Sequence, residues 1–157
     1  MAYLYPPNMQ WPQDFLYECA LIRKAYADEL DLFHIGSTAI TGLYAKNCID
    51  ILGVVPDLEA IKKQRSKLTQ LSYVDRGEND IPGRQYFTKV NRKVHLHVFE
   101  AGNPQIRRHL NFVQIMRSTP ELVTALNQLK IDLHHKYPDD KNRYQTEKQF
   151  FYAKLKL

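Results

Sequence analysis

A dense run of apolar and branched residues, Asn47 to Val55 (NCIDILGVV), ends at Pro56 and sets the framework of the fold. Such a run, closed by a proline, is typical of a buried strand. Upstream, Leu32–Ile35 is a short apolar segment that enters a turn at Gly36. These patterns predict two strands, joined by a loop or single helical turn over Ser37–Lys46.

Helical periodicity flanks these strands, because apolar residues recur at steps of three and four. The predicted helices are Pro12–Leu30, a helix capped by Asp57, Ile106–Arg117, a helix capped by Thr119, and a last helix from about Asp140 toward Leu155. Everything after Gly102 is helical in pattern.

Three further strands are predicted at Ser72–Arg76, Arg84–Val90 and Lys93–Glu100, and Asn91-Arg92 is a plausible hairpin turn between the last two. This order of elements predicts a single α+β domain over residues 1–157, with a mostly antiparallel or mixed sheet, flanking helices and a helical C-terminal tail.

The overall composition narrows the class of partner. The net charge is +5, which favours an anionic partner, although the basic residues are spread along the chain and a merely basic surface explains the charge equally well. The sequence lacks a recognisable nucleic-acid reading helix or aromatic sheet motif, so nucleic acid is not the favoured partner. The sequence contains no run of about 18 apolar residues, so no membrane span is predicted.

The two cysteines, Cys19 and Cys48, both lie in apolar segments. They cannot form a disulfide framework, and we interpret them as buried thiols in a reducing compartment. The predicted localisation is therefore cytoplasmic.

The segment His34–Thr38 (HIGST) takes a strand into a Gly-Ser turn. Such a turn presents backbone N–H groups and a hydroxyl, which are natural ligands for phosphate. Taken alone, Gly36-Ser37 is a weak signal that favours a plain structural turn, since glycine is a common turn residue.

Asp50 stands in the middle of the apolar strand. A carboxylate there is costly unless it is paired or binds a metal, so a functional role is favoured over a structural one.

His95 and His97 alternate with apolar residues on the last predicted strand. Alternation places both imidazoles on one face, about 7 Å apart. They are close enough to share a metal or flank a phosphate, but the spacing also fits two histidines on the open face of a hairpin.

Lys46 lies at the mouth of the strand that carries Asp50, and Arg84 follows the Ile81-Pro82-Gly83 loop. Either cation could neutralise a phosphate, and either could be an ordinary surface residue.

Several of these motifs, in this order, resemble the signature of the GrpB-like family. The matching segments are HIGSTAITGLYAKNCIDILGVV, Gly83–Phe87, His95–Phe99, Leu110–Phe112, Leu129-Lys130 and Trp11-Pro12. The likeness covers roughly residues 9 to 155 and implies the nucleotidyltransferase-like fold, without implying any one reaction.

In that superfamily a Gly-Ser turn holds a triphosphate, and carboxylates on the following strands hold two divalent cations. The resemblance maps the turn to Gly36-Ser37 and the first carboxylate to Asp50. The second position is Leu52, which cannot bind a cation, and His95 or His97 falls near the third. Imidazole favours Mn²⁺, Zn²⁺ or Ni²⁺ over Mg²⁺.

We therefore expect the protein to bind a nucleotide or another phosphorylated small molecule. The expected phosphate ligands are Gly36, Ser37, Thr38, Lys46 and Arg84; the catalytic residue is Asp50; and the ligands of a divalent metal (Mg, Mn or Zn) are Asp50, His95 and His97. Two alternatives stay open: a metal-dependent nucleotidyltransferase, or a non-catalytic accessory module with a degenerate two-metal site.

Overall fold

The computed structural model describes residues 3–157, and Met1 and Ala2 lie outside the described part of the predicted domain. The elements in chain order are α1 (Gln10–Ala25), β1 (Asp31–Ile35), a 3-10 turn (Ser37–Ala39), β2 (Ile49–Val55), α2 (Leu58–Thr69), β3 (Val74–Gly77), β4 (Arg84–Lys89), β5 (Val94–Glu100), α3 (Pro104–Ser118), α4 (Pro120–Lys136) and α5 (Lys141–Lys154).

The five strands form one sheet in the order β1-β2-β5-β4-β3. The neighbouring strands β2 and β5 are parallel, and the other three pairs are antiparallel. The sheet is therefore mixed, which confirms the predicted α+β class.

The sheet separates two hydrophobic cores. Alternate residues of β2 and β5, such as Ile51 and Leu96, pack with the apolar stripes of α1 and α2. Residues on the opposite face, including Leu52 and Phe99, pack with α3 and α4. The C-terminal helices are thus a structural layer that covers the sheet face on which Asp50, His95 and His97 lie, because these residues alternate with the first core's residues.

A buried ion pair ties α1 to the sheet in the first core. Lys89 Nζ lies 2.7 Å from Glu18 Oε1, and the Tyr73 hydroxyl donates to Glu18 Oε2 at 2.8 Å. Each of these polar groups is buried and has a partner, as burial requires.

Two local expectations needed correction. The first helix was predicted to reach Leu30 but ends at Ala25, where the Tyr26 N–H bonds to the Ile22 carbonyl and the chain becomes extended. The segment that follows keeps the helix-like apolar spacing because Tyr26 and Leu30 are buried as loop residues. Thr119 occupies the N-cap position of α4, but its side chain makes no capping hydrogen bond.

Within residues 3–157, the helices are all too short or too polar to cross a membrane.

Candidate functional site

The Gly36 turn lies directly against Asp50. Because β1 and β2 are antiparallel, the end of β1 meets the start of β2, and Ile35 pairs with Asp50. Gly36 has φ 73° and ψ −171°. This conformation is essentially restricted to glycine, and an added Cβ would lie 2.9 Å from Asp50 Oδ2. Glycine therefore permits both the turn and its contact with the carboxylate.

Asp50 is held by histidines of β5. Its Oδ1 lies 3.1 Å from His97 Nε2 and 3.6 Å from His95 Nδ1. Burial by itself would raise the pKa of Asp50, but the hydrogen bond from His97 and the neighbouring positive charges hold that pKa below its usual range. Asp50 is consequently a carboxylate at neutral pH.

Arg84 fixes the orientation of His97. Its Nη1 donates to His97 Nδ1 at 3.2 Å, and its other nitrogens donate to the carbonyls of Glu78 and Asn79. Since Nδ1 accepts a hydrogen bond, Nε2 must carry the proton of the neutral ring. His97 therefore donates to Asp50.

Ser37 is contacted by a buried lysine of α4. Lys130 Nζ lies 2.9 Å from Ser37 Oγ and donates to the Tyr44 carbonyl at 2.7 Å. Burial, followed by the charges of Lys148 and Lys46, lowers the pKa of Lys130 well below its usual value. The turn thus faces an amine that a bound anion would help to keep charged.

These groups open onto one cavity of about 530 Å³ between the sheet and the C-terminal helices. That volume suits a small-molecule ligand. Ser37, Asp50 and His97 all line it. The sequence interpretation depended on the convergence of these three groups, and they meet in one place.

The lining of this cavity is strongly basic. Among the described residues, its five basic side chains are Lys46, Arg108, Lys130, Lys141 and Lys148, and its one side-chain carboxylate is Asp50. Burial, together with the charges of Lys46 and Lys141, lowers the pKa of Lys148 to about 8. Mutual repulsion of these cations makes the cavity a site that an anion would stabilise.

Some of the predicted site residues line the cavity and others do not. Gly36, Thr38 and Lys46 also line the cavity, whereas Arg84 and His95 are absent from its lining. The buried Thr38 hydroxyl is bonded to His34 Nε2 at 2.9 Å. Arg84 is buried against backbone carbonyls and the Tyr86 ring, which leaves no free guanidinium edge facing the cavity.

Sequence reasoning missed the residues that α3, α4 and α5 contribute. They are Arg108, His109, Lys130, Lys141, Tyr144, Lys148 and Tyr152. The one signal available was the Leu129-Lys130 motif, where a lysine sits beside an apolar helical stripe. Nothing in the sequence indicates that Lys130 contacts Ser37, 93 positions away.

Within residues 3–157, one group of side chains has the donors to hold a metal ion. One ligand atom each from Cys48, Asp50 and His95 all lie within 4.8 Å of one another. Cys48 was interpreted from the sequence only as a buried thiol, and it is buried and free.

The family model described as GrpB protein matches residues 2–156. This chain belongs to the GrpB family. The resemblance indicated by the sequence motifs is confirmed.

Two relatives illustrate the family. The chain is 36% identical over 140 residues to the UPF0157 protein YqkA of Bacillus subtilis (strain 168), a match that covers 87% of this chain and 41% of YqkA. It is 31% identical over 149 residues to the glutamate-rich protein GrpB of Alkalihalophilus pseudofirmus, covering 90% of this chain and 86% of that protein. The chain therefore spans less than half the length of YqkA.

Solved structures establish the fold. The crystal structure of the conserved protein GrpB from Enterococcus faecalis matches with a TM-score of 0.88 and 25% identity, covering 97% of this chain and 96% of that chain. A Cid1 poly(U) polymerase mutant bound to MgATP matches with a TM-score of 0.56 and 13% identity, covering 84% of this chain and 43% of that chain. The GrpB fold of this chain is nucleotidyltransferase-like.

Proposed function

We propose that this GrpB protein binds a nucleotide or another phosphorylated small molecule in the cavity above the Gly36 turn. The observation that carries the proposal is that five basic side chains of the described residues line the same cavity as that turn, against a single side-chain carboxylate. Of these side chains Lys130 is buried, with only neutral hydrogen-bond partners, and a phosphate would offset the cost of burying its charge with charge-assisted hydrogen bonds.

The phosphate would lie between the turn and the helices. Ser37 Oγ and Lys130 already form a hydrogen-bonded pair at the cavity wall. Lys148 and Lys46, which also line the cavity, would add positive charge. Arg84 would contribute to the site indirectly, by orienting the His97 ring.

Asp50 is the natural cation ligand of this site, but the two-metal arrangement of the fold family does not fit. Leu52 follows on the same face of β2, fully buried in the second core. An aliphatic side chain offers no donor, so two Mg²⁺ ions cannot be bridged as in that arrangement. One cation held by Asp50 with a histidine of β5 is compatible with the residues present.

Leu52 also favours the alternative of a non-catalytic binding module, because the missing carboxylate would normally complete the reaction centre. The likeness to a polymerase bound to MgATP extends only to the fold. A turnover assay distinguishes a nucleotidyltransferase from a non-catalytic binding module. Incubation with labelled nucleotides and Mn²⁺ yields labelled pyrophosphate or a transferred nucleotide only if the protein catalyses nucleotidyl transfer.

Calorimetry tests the binding proposal. ATP, CTP, GTP and pyrophosphate would be titrated into the wild-type protein with a chelator present, and then with Mn²⁺. We expect one of them to bind, and Ser37→Ala to weaken its affinity about tenfold or more, as loss of a hydrogen bond to a charged group implies.

Ser66→Ala is the matched control, because Ser66 is exposed on α2 in the layer that faces away from the cavity. Its affinity should equal that of the wild type. The absence of any binding, or equal weakening by both variants, would refute the proposal.

A further inference from the structure

We propose that Cys48, Asp50 and His95 form a binding site for a single thiophilic divalent cation of the Zn²⁺ type. Their ligand atoms lie within 4.8 Å of one another, and Asp50 Oδ1 is 3.6 Å from His95 Nδ1. A tetrahedral Zn²⁺ with bonds of about 2.0–2.3 Å sets its ligand atoms about 3.5 Å apart. The oxygen and nitrogen therefore already have the required separation.

The fold brings these three residues together through the sheet. Cys48 immediately precedes β2, and Asp50 is its second residue. Asp50 pairs with His95 across the parallel β2-β5 ladder. Two of the ligands thus come from adjacent strands in fixed register, and the third comes from the segment that leads into one of them.

His97 is excluded as a ligand by its hydrogen bonds. Arg84 donates to Nδ1, so Nε2 carries the proton that bonds to Asp50 Oδ1. A protonated ring nitrogen has no lone pair for a metal. Instead, the pair orients the carboxylate, as outer partners of metal ligands commonly do.

The donor set decides the class of metal. A thiol, an imidazole and a carboxylate favour Zn²⁺ or Co²⁺, whereas Mg²⁺ prefers oxygen ligands alone. Cys48 and Asp50 also line the cavity. A cation with three protein ligands keeps a fourth position open for water or another ligand.

This inference rests on the proposed cation role of Asp50, and not on anion binding. The test is therefore a titration of reduced, nucleotide-free protein with Co²⁺ alone, monitored by absorbance. We expect a thiolate-to-cobalt charge-transfer band in the near ultraviolet, with tetrahedral bands in the visible. Zn²⁺ at one equivalent should remove both, and excess Mg²⁺ should remove neither.

Cys48→Ser should abolish the charge-transfer band and weaken Co²⁺ binding by more than about 100-fold, beyond the roughly 10–100-fold effect of changes to outer partners. Cys19→Ser is the matched control, since Cys19 is the other buried free cysteine and should leave the band intact. If Cys48→Ser does not fold, a second pair of variants tests the site. His95→Gln should weaken Co²⁺ binding to a similar extent, whereas His97→Gln should retain the charge-transfer band.

Two outcomes would overturn the inference. If Co²⁺ binds without a charge-transfer band, or if the band survives Cys48→Ser, Cys48 is not a ligand, although Asp50 remains a cation ligand. No Co²⁺ binding removes the cation site altogether. In both cases the proposal of nucleotide binding is tested separately, by calorimetry in the presence of a chelator.

Discussion

At the residue scale, the site depends on a glycine that touches its carboxylate. The Gly36 backbone is in a conformation that other residues rarely adopt, and the space where a side chain would begin is occupied by Asp50 Oδ2. The turn and the acid are therefore a single unit. The sequence predicted both residues as candidates, but only the antiparallel pairing of β1 with β2 shows that they are in contact.

Gly36→Ala tests this unit. We expect it to lower the free energy of unfolding by about 1–3 kcal/mol, because of backbone strain, and to weaken nucleotide binding about tenfold, because forcing the turn away from Asp50 displaces Ser37. Denaturant unfolding and calorimetry measure the two effects. Gly42→Ala is the control, since Gly42 also has a positive φ of 83° but nothing within 4 Å of its added Cβ.

Gly42→Ala should therefore lose stability without losing affinity. If Gly36→Ala binds nucleotide as tightly as Gly42→Ala, the contact with Asp50 has no part in the site.

At the element scale, α5 contributes two of the basic side chains that line the cavity, Lys141 and Lys148, and we expect Lys148 to make ligand binding depend on pH. Lys148 is half-buried, with the Tyr144 and Tyr152 rings 5.1 and 5.8 Å from its Nζ. Sequence reasoning placed this helix correctly and could not assign it a role. A lysine in a polar helix is ordinarily solvated, and only tertiary packing turns Lys148 toward Lys46 and Asp50.

The affinity for ATP should fall as the pH rises through about 8. Lys148 has a pKa lowered to about 8, chiefly by burial and by the charges of Lys46 and Lys141, against the opposing effect of Asp50. Its ammonium form binds the anion, so binding above that pH requires uptake of a proton. We expect affinity to fall about tenfold between pH 7.5 and 9.5, as proton linkage predicts.

Calorimetry in buffers of different ionisation enthalpy measures that proton uptake. Lys130, whose pKa is also lowered, contributes in the same direction. In Lys148→Arg the charge persists at every pH, so the fall should become shallower. An affinity that is constant from pH 7.5 to 9.5 would show that Lys148 does not face the ligand.

At the scale of the whole molecule, the two faces of the sheet differ in the side chains that they present. The face covered by α1 and α2 is largely apolar, and its buried polar side chains Glu18, Lys89, Tyr73 and Gln85 are all hydrogen-bonded. The face covered by α3 and α4 is apolar at Leu52 and Phe99, and beside that core it opens into the basic cavity. The basic cavity thus lies on the side of the sheet that the C-terminal helices cover, and the proposed ligand binding belongs to that layer.

This division explains how far the sequence could be interpreted. The order of the elements predicted an α+β domain with a mostly antiparallel or mixed sheet, and strand alternation placed His95 and His97 on one face. The boundaries of α1 were less accurate, because buried loop residues extended its apolar spacing. The cations from the C-terminal helices could not be predicted, since their place in the cavity depends on how three helices pack over one sheet face.

The central claim is that the Gly36-Ser37 turn and the lysines of the C-terminal helices form one anion site. Its most direct test is the calorimetric affinity for ATP of Lys148→Met beside Lys63→Met, which removes the same charge from an exposed position on α2. We predict a loss of about tenfold to 100-fold for Lys148→Met, as for a hydrogen bond to a charged group, and less than about twofold for Lys63→Met, as for an exposed charge. Equal affinities of the two variants would contradict the claim.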